Sequence, residues 1–132
     1  MKFQFNDGGR KEAGYKGSVG DCVTRALVIA NDLDYKTTYR RLSQEMLLVG
    51  RDKTARNGIA PSVTTKALMD LGWKKVAIQG KKRFRADNLP KRKKVIVRLH
   101  RHLCVVIDGV IQDTWDSSKN GDALIQEIWV KK

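Results

Sequence analysis

Apolar residues recur with the period of a helix in the first half of the chain. In the first such stretch they fall at i, i+3, i+4 and i+7, on Val23, Ala26, Leu27 and Ala30. This spacing gives one apolar face and predicts a helix that begins near Asp21, is capped by Ser18 or Asp21, and ends at residues 31–32.

Two more helices are predicted before the midpoint. Asp34 starts the second, roughly residues 35–48, and Gly50 closes it. The third runs roughly over residues 62–71 after Pro61, with Ser62 as a candidate cap. The two loops that precede helices differ in composition: residues 6–20 hold five of the eleven glycines, and residues 51–60 are polar. We expect both loops to be irregular and to help build any binding site.

From residue 73 onward the period becomes that of strands. Strands are predicted at 73–78, 95–99, 102–107, 110–115 and 124–130, with Asp108-Gly109 as a two-residue hairpin turn. The order therefore predicts an α+β fold in one domain spanning residues 1–132, with N-terminal helices packed on a C-terminal antiparallel sheet. We expect Cys104 in the strand core, together with Trp73, Trp115 and Trp129.

The hairpin turn also fixes which side chains share a face. If Asp108 and Gly109 are the loop residues, paired residues have numbers that sum to 217, so His102 opposes Trp115 and Cys104 opposes Asp113. Opposed side chains, and those two residues apart, point the same way. Asp113 is then the diagonal neighbour of His102 and the better carboxylate to orient its ring; Asp116 is the second choice.

Cys22 is the candidate partner of this histidine. A position in the first turn of a helix exposes the thiol to free backbone N–H groups and to the positive end of the dipole, which favour a thiolate, although the adjacent Asp21 opposes the effect. A thiol, an imidazole and a carboxylate in one chain predict a nucleophile, a general base and an orienting acid. The hypothesis is a hydrolase that cleaves peptide or amide bonds and needs no cofactor or metal.

The segments Gly20-Asp21-Cys22-Val23-Thr24-Arg25-Ala26 and 102–116 resemble a known family pattern. A cysteine opening the first helix, then a histidine beginning a strand and an aspartate on the return strand, is similar to papain-like cysteine peptidases, especially the small bacterial bacteriocin-processing type. The two motifs also look like those of uncharacterised proteins encoded by bacteriophages and prophages. The resemblance implies a minimal papain-like fold with Cys22 as nucleophile, His102 as general base and Asp113 as orienting residue.

The chain departs from that pattern before the cysteine. Papain-like peptidases usually carry a glutamine there, whose amide helps to hold the oxyanion, but residues 15–21 contain neither Gln nor Asn. Loss of one such donor typically costs about 10²–10³ in rate. Two expectations follow: either the Cys22 backbone N–H acts with Asn6 or Gln4 instead, or catalysis is impaired.

Other arrangements use the same side chains. His100, His102 and Cys104 alternate along one strand and, with Cys22, have the ligand types of a zinc site. Cys22 and Cys104 could also form a disulfide, although two cysteines are typical of a reducing compartment. No apolar run is long enough to span a bilayer, and the N-terminal residues lack a signal-peptide pattern. We therefore expect a cytoplasmic protein without a membrane partner, in the host cytoplasm if it is phage-encoded.

The charge of the chain supports a second hypothesis. Lys and Arg number 27 against 14 Asp and Glu, a net charge of +13. Such a surface attracts nucleic acid or acidic proteins. The candidate anion-binding residues are Lys91, Arg92, Lys93 and Lys94. The alternative function is thus a binding or inhibitor protein on a papain-like scaffold whose catalysis has lapsed, while the first hypothesis requires a protein or peptide substrate.

Overall fold

The computed structural model describes residues 1–15, 21–50 and 58–132 of the 132-residue chain. In that part of the chain, helices α1 (Cys22–Asn31), α2 (Tyr35–Leu48) and α3 (Pro61–Asp70) pack against a sheet. The strands are β1 (Lys2–Phe5), β2 (Trp73–Val76), β3 (Lys82–Arg83), β4 (Lys94–Leu99), β5 (His102–Ile107), β6 (Val110–Asp113), β7 (Leu124–Ile125) and β8 (Glu127–Lys131). The predicted α+β class is confirmed.

The helix bounds agree closely with the sequence prediction, but two caps differ. Asp34 caps α2 as expected, because its side chain accepts a hydrogen bond from the Thr37 backbone N–H at 2.9 Å. Asp21 precedes α1 but makes no side-chain cap. Helix α3 begins at Pro61 after Ala60, so the predicted Ser62 cap is wrong. Ser18 and most of the predicted 51–60 turn lie outside the described residues.

The main sheet has the strand order β1-β6-β5-β4-β8-β2. The Asp108-Gly109 turn is confirmed, with both residues at positive φ and Ile107 paired with Val110. Strand β1 was not predicted, and it pairs with β6 in parallel, so the sheet is not purely antiparallel. Its sequence, Lys2-Phe3-Gln4-Phe5, alternates polar and apolar residues over the minimum length that indicates a strand, and all four residues are exposed.

The C-terminal strands are shorter than predicted. Strand β6 ends at Asp113, and the predicted 124–130 strand is split at Gln126, whose N–H donates to the Arg98 carbonyl at 2.8 Å. The split lets β7 pair with β3 in a separate two-stranded sheet. This pairing holds the start of the basic segment 80–94 against residues 124–125.

The sheet carries a core on each face. One is formed with the helices around Leu68, Trp73 and Trp129, and the other around Phe84, Cys104 and small aliphatic residues. Burial of Trp73, Trp129 and Cys104 confirms three predictions. The prediction for Trp115 is wrong, because its side chain follows the end of β6 and is 44% exposed.

Leu68→Ala tests the packing of α3 on the sheet. Leu68 is 0% exposed, so truncation leaves a cavity and should lower the free energy of unfolding by about 2–5 kcal/mol in urea denaturation. The neighbouring Met69 is 58% exposed, and Met69→Ala should change stability by less than about 0.5 kcal/mol. Equal losses for the two variants would contradict this orientation of α3.

Candidate active site

Three neighbouring elements bring the candidate residues together. Cys22 is the first residue of α1, His102 is the first residue of β5, and Asp113 is the last residue of β6. Helix α1 packs on β5, and β5 is hydrogen-bonded to β6. The side chains therefore meet where a helix N-terminus, the start of one strand and the end of the next converge.

His102 is held by Asp113. The His102 Nε2 and Asp113 Oδ2 atoms are 2.6 Å apart, and both side chains are largely buried. This is the diagonal contact that the hairpin register predicts. Asp116 has another role, because its carboxylate accepts from the backbone N–H and hydroxyl of Ser118 and so stabilises the following turn. Of the two candidate acids, Asp113 is the one that contacts the imidazole.

The thiol of Cys22 interacts with the same ring. Burial would raise the pKa of this thiol, but the hydrogen bond and charge of His102 lower it, as do the Leu103 backbone N–H and the charge of Arg25. The net pKa lies below the usual value of a cysteine. Because Nε2 of His102 is bound to Asp113, Nδ1 is the ring nitrogen left for the sulfur.

The pKa of the His102 imidazole is raised, and the pKa of the Asp113 carboxylate is lowered. Burial lowers the pKa of His102, but its hydrogen bonds to Asp113 and Cys22 and their negative charges raise it to about 9. Burial would raise the pKa of Asp113, yet the hydrogen bond and charge of His102 and the Thr114 backbone N–H lower it. At neutral pH these shifts favour a thiolate beside an imidazolium that rests on a carboxylate.

Behind Asp113 lies a buried ionic network that sequence reasoning missed. Arg25 Nη2 is 3.4 Å from Asp113 Oδ1, and its Nη1 donates to Asp21, which is 0% exposed. Tyr35 donates its hydroxyl to the other Asp21 oxygen at 2.5 Å, and Arg10 lies 3.4 Å from Asp21. The i, i+4 spacing of Asp21 and Arg25 was the available signal. Arg25 thus joins the helix that carries the thiol to the acid that orients the imidazole.

Residues 6–15, the described part of the glycine-rich segment, cover this network. Gly8 has φ of +66°, and a Cβ there would lie 3.4 Å from the Arg25 backbone. Tyr15 packs on Tyr39 with ring centroids 4.5 Å apart and also contacts Tyr35. The described part of the predicted loop, residues 6–15, is therefore an irregular but packed cover over Asp21.

The two predicted oxyanion donors lie at the β1 edge of the sheet. Asn6 donates its amide N–H to Gln112 Oε1 at 3.2 Å, and Gln112 donates to Gln4 Oε1 at 3.2 Å. These bonds tie both amides to β6 rather than to the thiol. Their role in holding an oxyanion stays a prediction.

The alternative uses of the cysteines find no support. Both thiols are free, so the disulfide hypothesis is wrong. Within residues 1–15, 21–50 and 58–132, no group of three or more His, Cys, Asp or Glu side chains is placed to hold a metal ion, which includes the proposed His100–Cys104 set. Burial raises the pKa of Cys104, which makes it an inert core thiol.

The four candidate anion-binding residues differ in their surroundings. Lys91, Arg92 and Lys93 are exposed and border a cavity of about 370 Å³. Arg92 donates to the Lys131 carbonyl at 3.2 Å, whereas Lys94 donates to the Ala30 carbonyl at 3.2 Å. Lys94 therefore stabilises the contact between β4 and the end of α1, and the other three form the basic rim.

Comparisons with family models, with curated proteins and with solved structures find no match in any of the three. The likeness to papain-like cysteine peptidases stays a prediction. What supports the chemical hypothesis is the contact of Cys22, His102 and Asp113.

Alkylation across pH tests the state of the Cys22 thiol. Because its pKa is lowered by His102, the rate with iodoacetamide should reach half of its maximum at a pH below the roughly 8.5 of an ordinary thiol. His102→Ala removes that stabilisation and should shift this midpoint to higher pH. Peptide mass spectrometry separates Cys22 from the buried Cys104, which should react far more slowly; equal rates at the two positions would contradict an activated thiol.

Arg25→Met tests the buried network. The variant leaves Asp21 and Asp113 without their shared cation, so the free energy of unfolding should fall by about 3–5 kcal/mol. Arg25→Lys keeps the charge but not the planar guanidinium, and it should lower the free energy of unfolding by less. Arg41→Met is the matched control, because Arg41 forms exposed ion pairs and should contribute at most about 1 kcal/mol. A similarly small loss of unfolding free energy in Arg25→Met and Arg41→Met would contradict a stabilising role of the buried network.

Proposed function

We propose that the protein is a thiol hydrolase that cleaves peptide or amide bonds through Cys22, His102 and Asp113. The observation that carries the proposal is the 2.6 Å contact of His102 Nε2 with Asp113, on a ring that also lowers the pKa of the Cys22 thiol. A histidine engaged on one nitrogen by an acid and on the other by a thiol is arranged to move one proton between sulfur and substrate.

In the first half of the reaction the Cys22 thiolate attacks the carbonyl carbon. A carbon–sulfur bond forms, and the carbonyl electrons move to oxygen as an oxyanion. When the intermediate collapses, the carbon–nitrogen bond breaks and the His102 imidazolium gives its proton to the leaving amine. Asp113 holds the ring in position and stabilises its charged form. The product that remains on the protein is a thioester.

In the second half the neutral His102 takes a proton from water as the water attacks the thioester. Collapse of this intermediate breaks the carbon–sulfur bond and restores the thiolate and the imidazolium. The oxyanion is formed twice, beside a helix start whose backbone N–H groups lack intrahelical partners. Cys22 is the first residue of α1, so its backbone N–H is the candidate donor to the oxyanion.

The resemblance to papain-like peptidases agrees with this assignment of roles. Helices before the sheet, a cysteine at a helix start and a histidine at a strand start occur here in the expected order. A cytoplasmic location, in a host cell if the protein is phage-encoded, belongs to the same proposal. None of the helices in residues 1–15, 21–50 and 58–132 has the length and apolar character needed to cross a membrane.

The basic rim supports the alternative function, which does not use the thiol. The exposed Lys91, Arg92 and Lys93 side chains could bind nucleic acid or an acidic host protein. Such binding should weaken with salt and survive Cys22→Ala, so it is separable from hydrolysis. The two activities are compatible, because a basic enzyme attracts acidic substrates.

A peptide library prepared from a digested proteome tests the hydrolase directly. Incubation with the protein should create new peptide termini, detected by mass spectrometry, that disappear with Cys22→Ser. His102→Gln removes the proton carrier and should slow cleavage by about 10²–10⁴-fold. Lys74→Gln is the control, because Lys74 is exposed on β2, which β4 and β8 separate from β5. If Cys22 is alkylated rapidly but no Cys22-dependent termini form, the hydrolase proposal fails.

A further inference from the structure

A cavity opens beside the histidine of the proposed site. It has a volume of about 450 Å³, and His102 and Trp115 form part of its lining. Cys22 does not line it, so of the two reacting groups the cavity adjoins the imidazole. In the proposed reaction, His102 gives its proton to the leaving amine. The cavity is therefore on the side where the leaving part of the substrate must lie.

Part of the cavity wall is formed by apolar side chains that are open to solvent. The Trp115 ring lies 5.3 Å from the His102 ring and is 44% exposed. Leu124 lies on the same cavity and is 48% exposed. Exposed aromatic and aliphatic side chains around a concave surface are typical of a ligand site.

The free charge of the cavity is positive. Arg101 and Lys119 both line it, and in the described part of the chain neither takes part in an ion pair. The acidic lining residue, Asp122, is engaged by Arg83 at 3.2 Å and by Arg85 at 3.6 Å. Two unpaired cations next to apolar walls complement a ligand that combines carboxylates with apolar groups.

We propose that this cavity binds an acidic segment of a peptide substrate, on the leaving-group side of the bond that Cys22 attacks. The proposal rests on the hydrolase function for the direction of the peptide. It adds the substrate class: Arg101 and Lys119 contact acidic side chains, while Trp115 and Leu124 contact apolar ones. The basic rim at Lys91 and Lys93 is a separate surface that borders a different cavity.

Binding to the Cys22→Ala variant tests this without requiring catalysis. The probes are two short fluorescein-labelled peptides of the same sequence, one with two Asp residues and one with Asn in their place. Fluorescence anisotropy at low salt should give about five-fold tighter binding of the Asp peptide, from two exposed ion pairs. Alkylation of wild-type Cys22 is measured in parallel and reports the nucleophile independently, so the two proposals fail separately.

Arg101→Asn with Lys119→Asn should remove the preference for the Asp peptide. Both positions have φ near +50°, a conformation that Asn tolerates, so the fold should persist in a thermal melt. Lys91→Asn with Lys93→Asn is the control with the same loss of charge, and it should retain the preference. The proposal is overturned if the two peptides bind equally, or if the two double variants weaken binding equally. It is also overturned if oligothymidylate displaces the Asp peptide and this displacement is lost in the Lys91→Asn, Lys93→Asn variant alone.

Discussion

The hydrogen bond between His102 and Asp113 is the constraint on which the rest of the site depends. It exists because a two-residue turn fixes the register of β5 and β6, which puts a carboxylate diagonally across from the imidazole. The bond leaves one ring nitrogen for Cys22, and Asp113 and Cys22 together raise the pKa of the histidine to about 9. A short turn in the backbone thus contributes, through His102, to the lowered pKa of a thiol on another element.

The same carboxylate carries a cost that the surrounding residues offset. A buried charge is stabilised only when its partners satisfy it, and Asp113 has the imidazole on one side and Arg25 on the other. Arg25 is in turn balanced by Asp21, whose second oxygen accepts from Tyr35. Stability and chemistry are therefore coupled, because the network that neutralises Asp113 also fixes α1, and with it the sulfur, relative to the sheet.

The surroundings of the proposed nucleophile differ between its two sides. The buried network lies behind Asp113, whereas His102 opens to a cavity lined in part by apolar residues and by the cations Arg101 and Lys119. Trp115 joins the two regions, because it contacts the imidazole ring and keeps an exposed face. Positively charged residues thus occur in three places: the buried network, the basic rim and the cavity beside the imidazole. Each group can be substituted without changing the other two.

Local sequence signals were sufficient for the helices, the main strands and the contact of His102 with Asp113. Helix α2 matches because its cap and its apolar face are local features, and the hairpin matches because Asp108-Gly109 defines its own geometry. Strand β1 was missed, and the exposed position of Trp115 was not predictable in this way. The four residues of β1 are the minimum length that indicates a strand, and Trp115 depends on where β6 stops pairing.

Local sequence patterns are enough to predict the α+β class, the position of Cys22 at a helix start and the identity of its two candidate partners. Periodicity and turn chemistry act over a few residues, so they can be read without knowing the fold. The fold is needed to show that Arg25 and Asp21 support Asp113, that Asn6 and Gln4 bond to Gln112, and that Arg101 and Lys119 line a cavity beside His102. These are contacts between distant segments, and their energies depend on burial that no local pattern encodes.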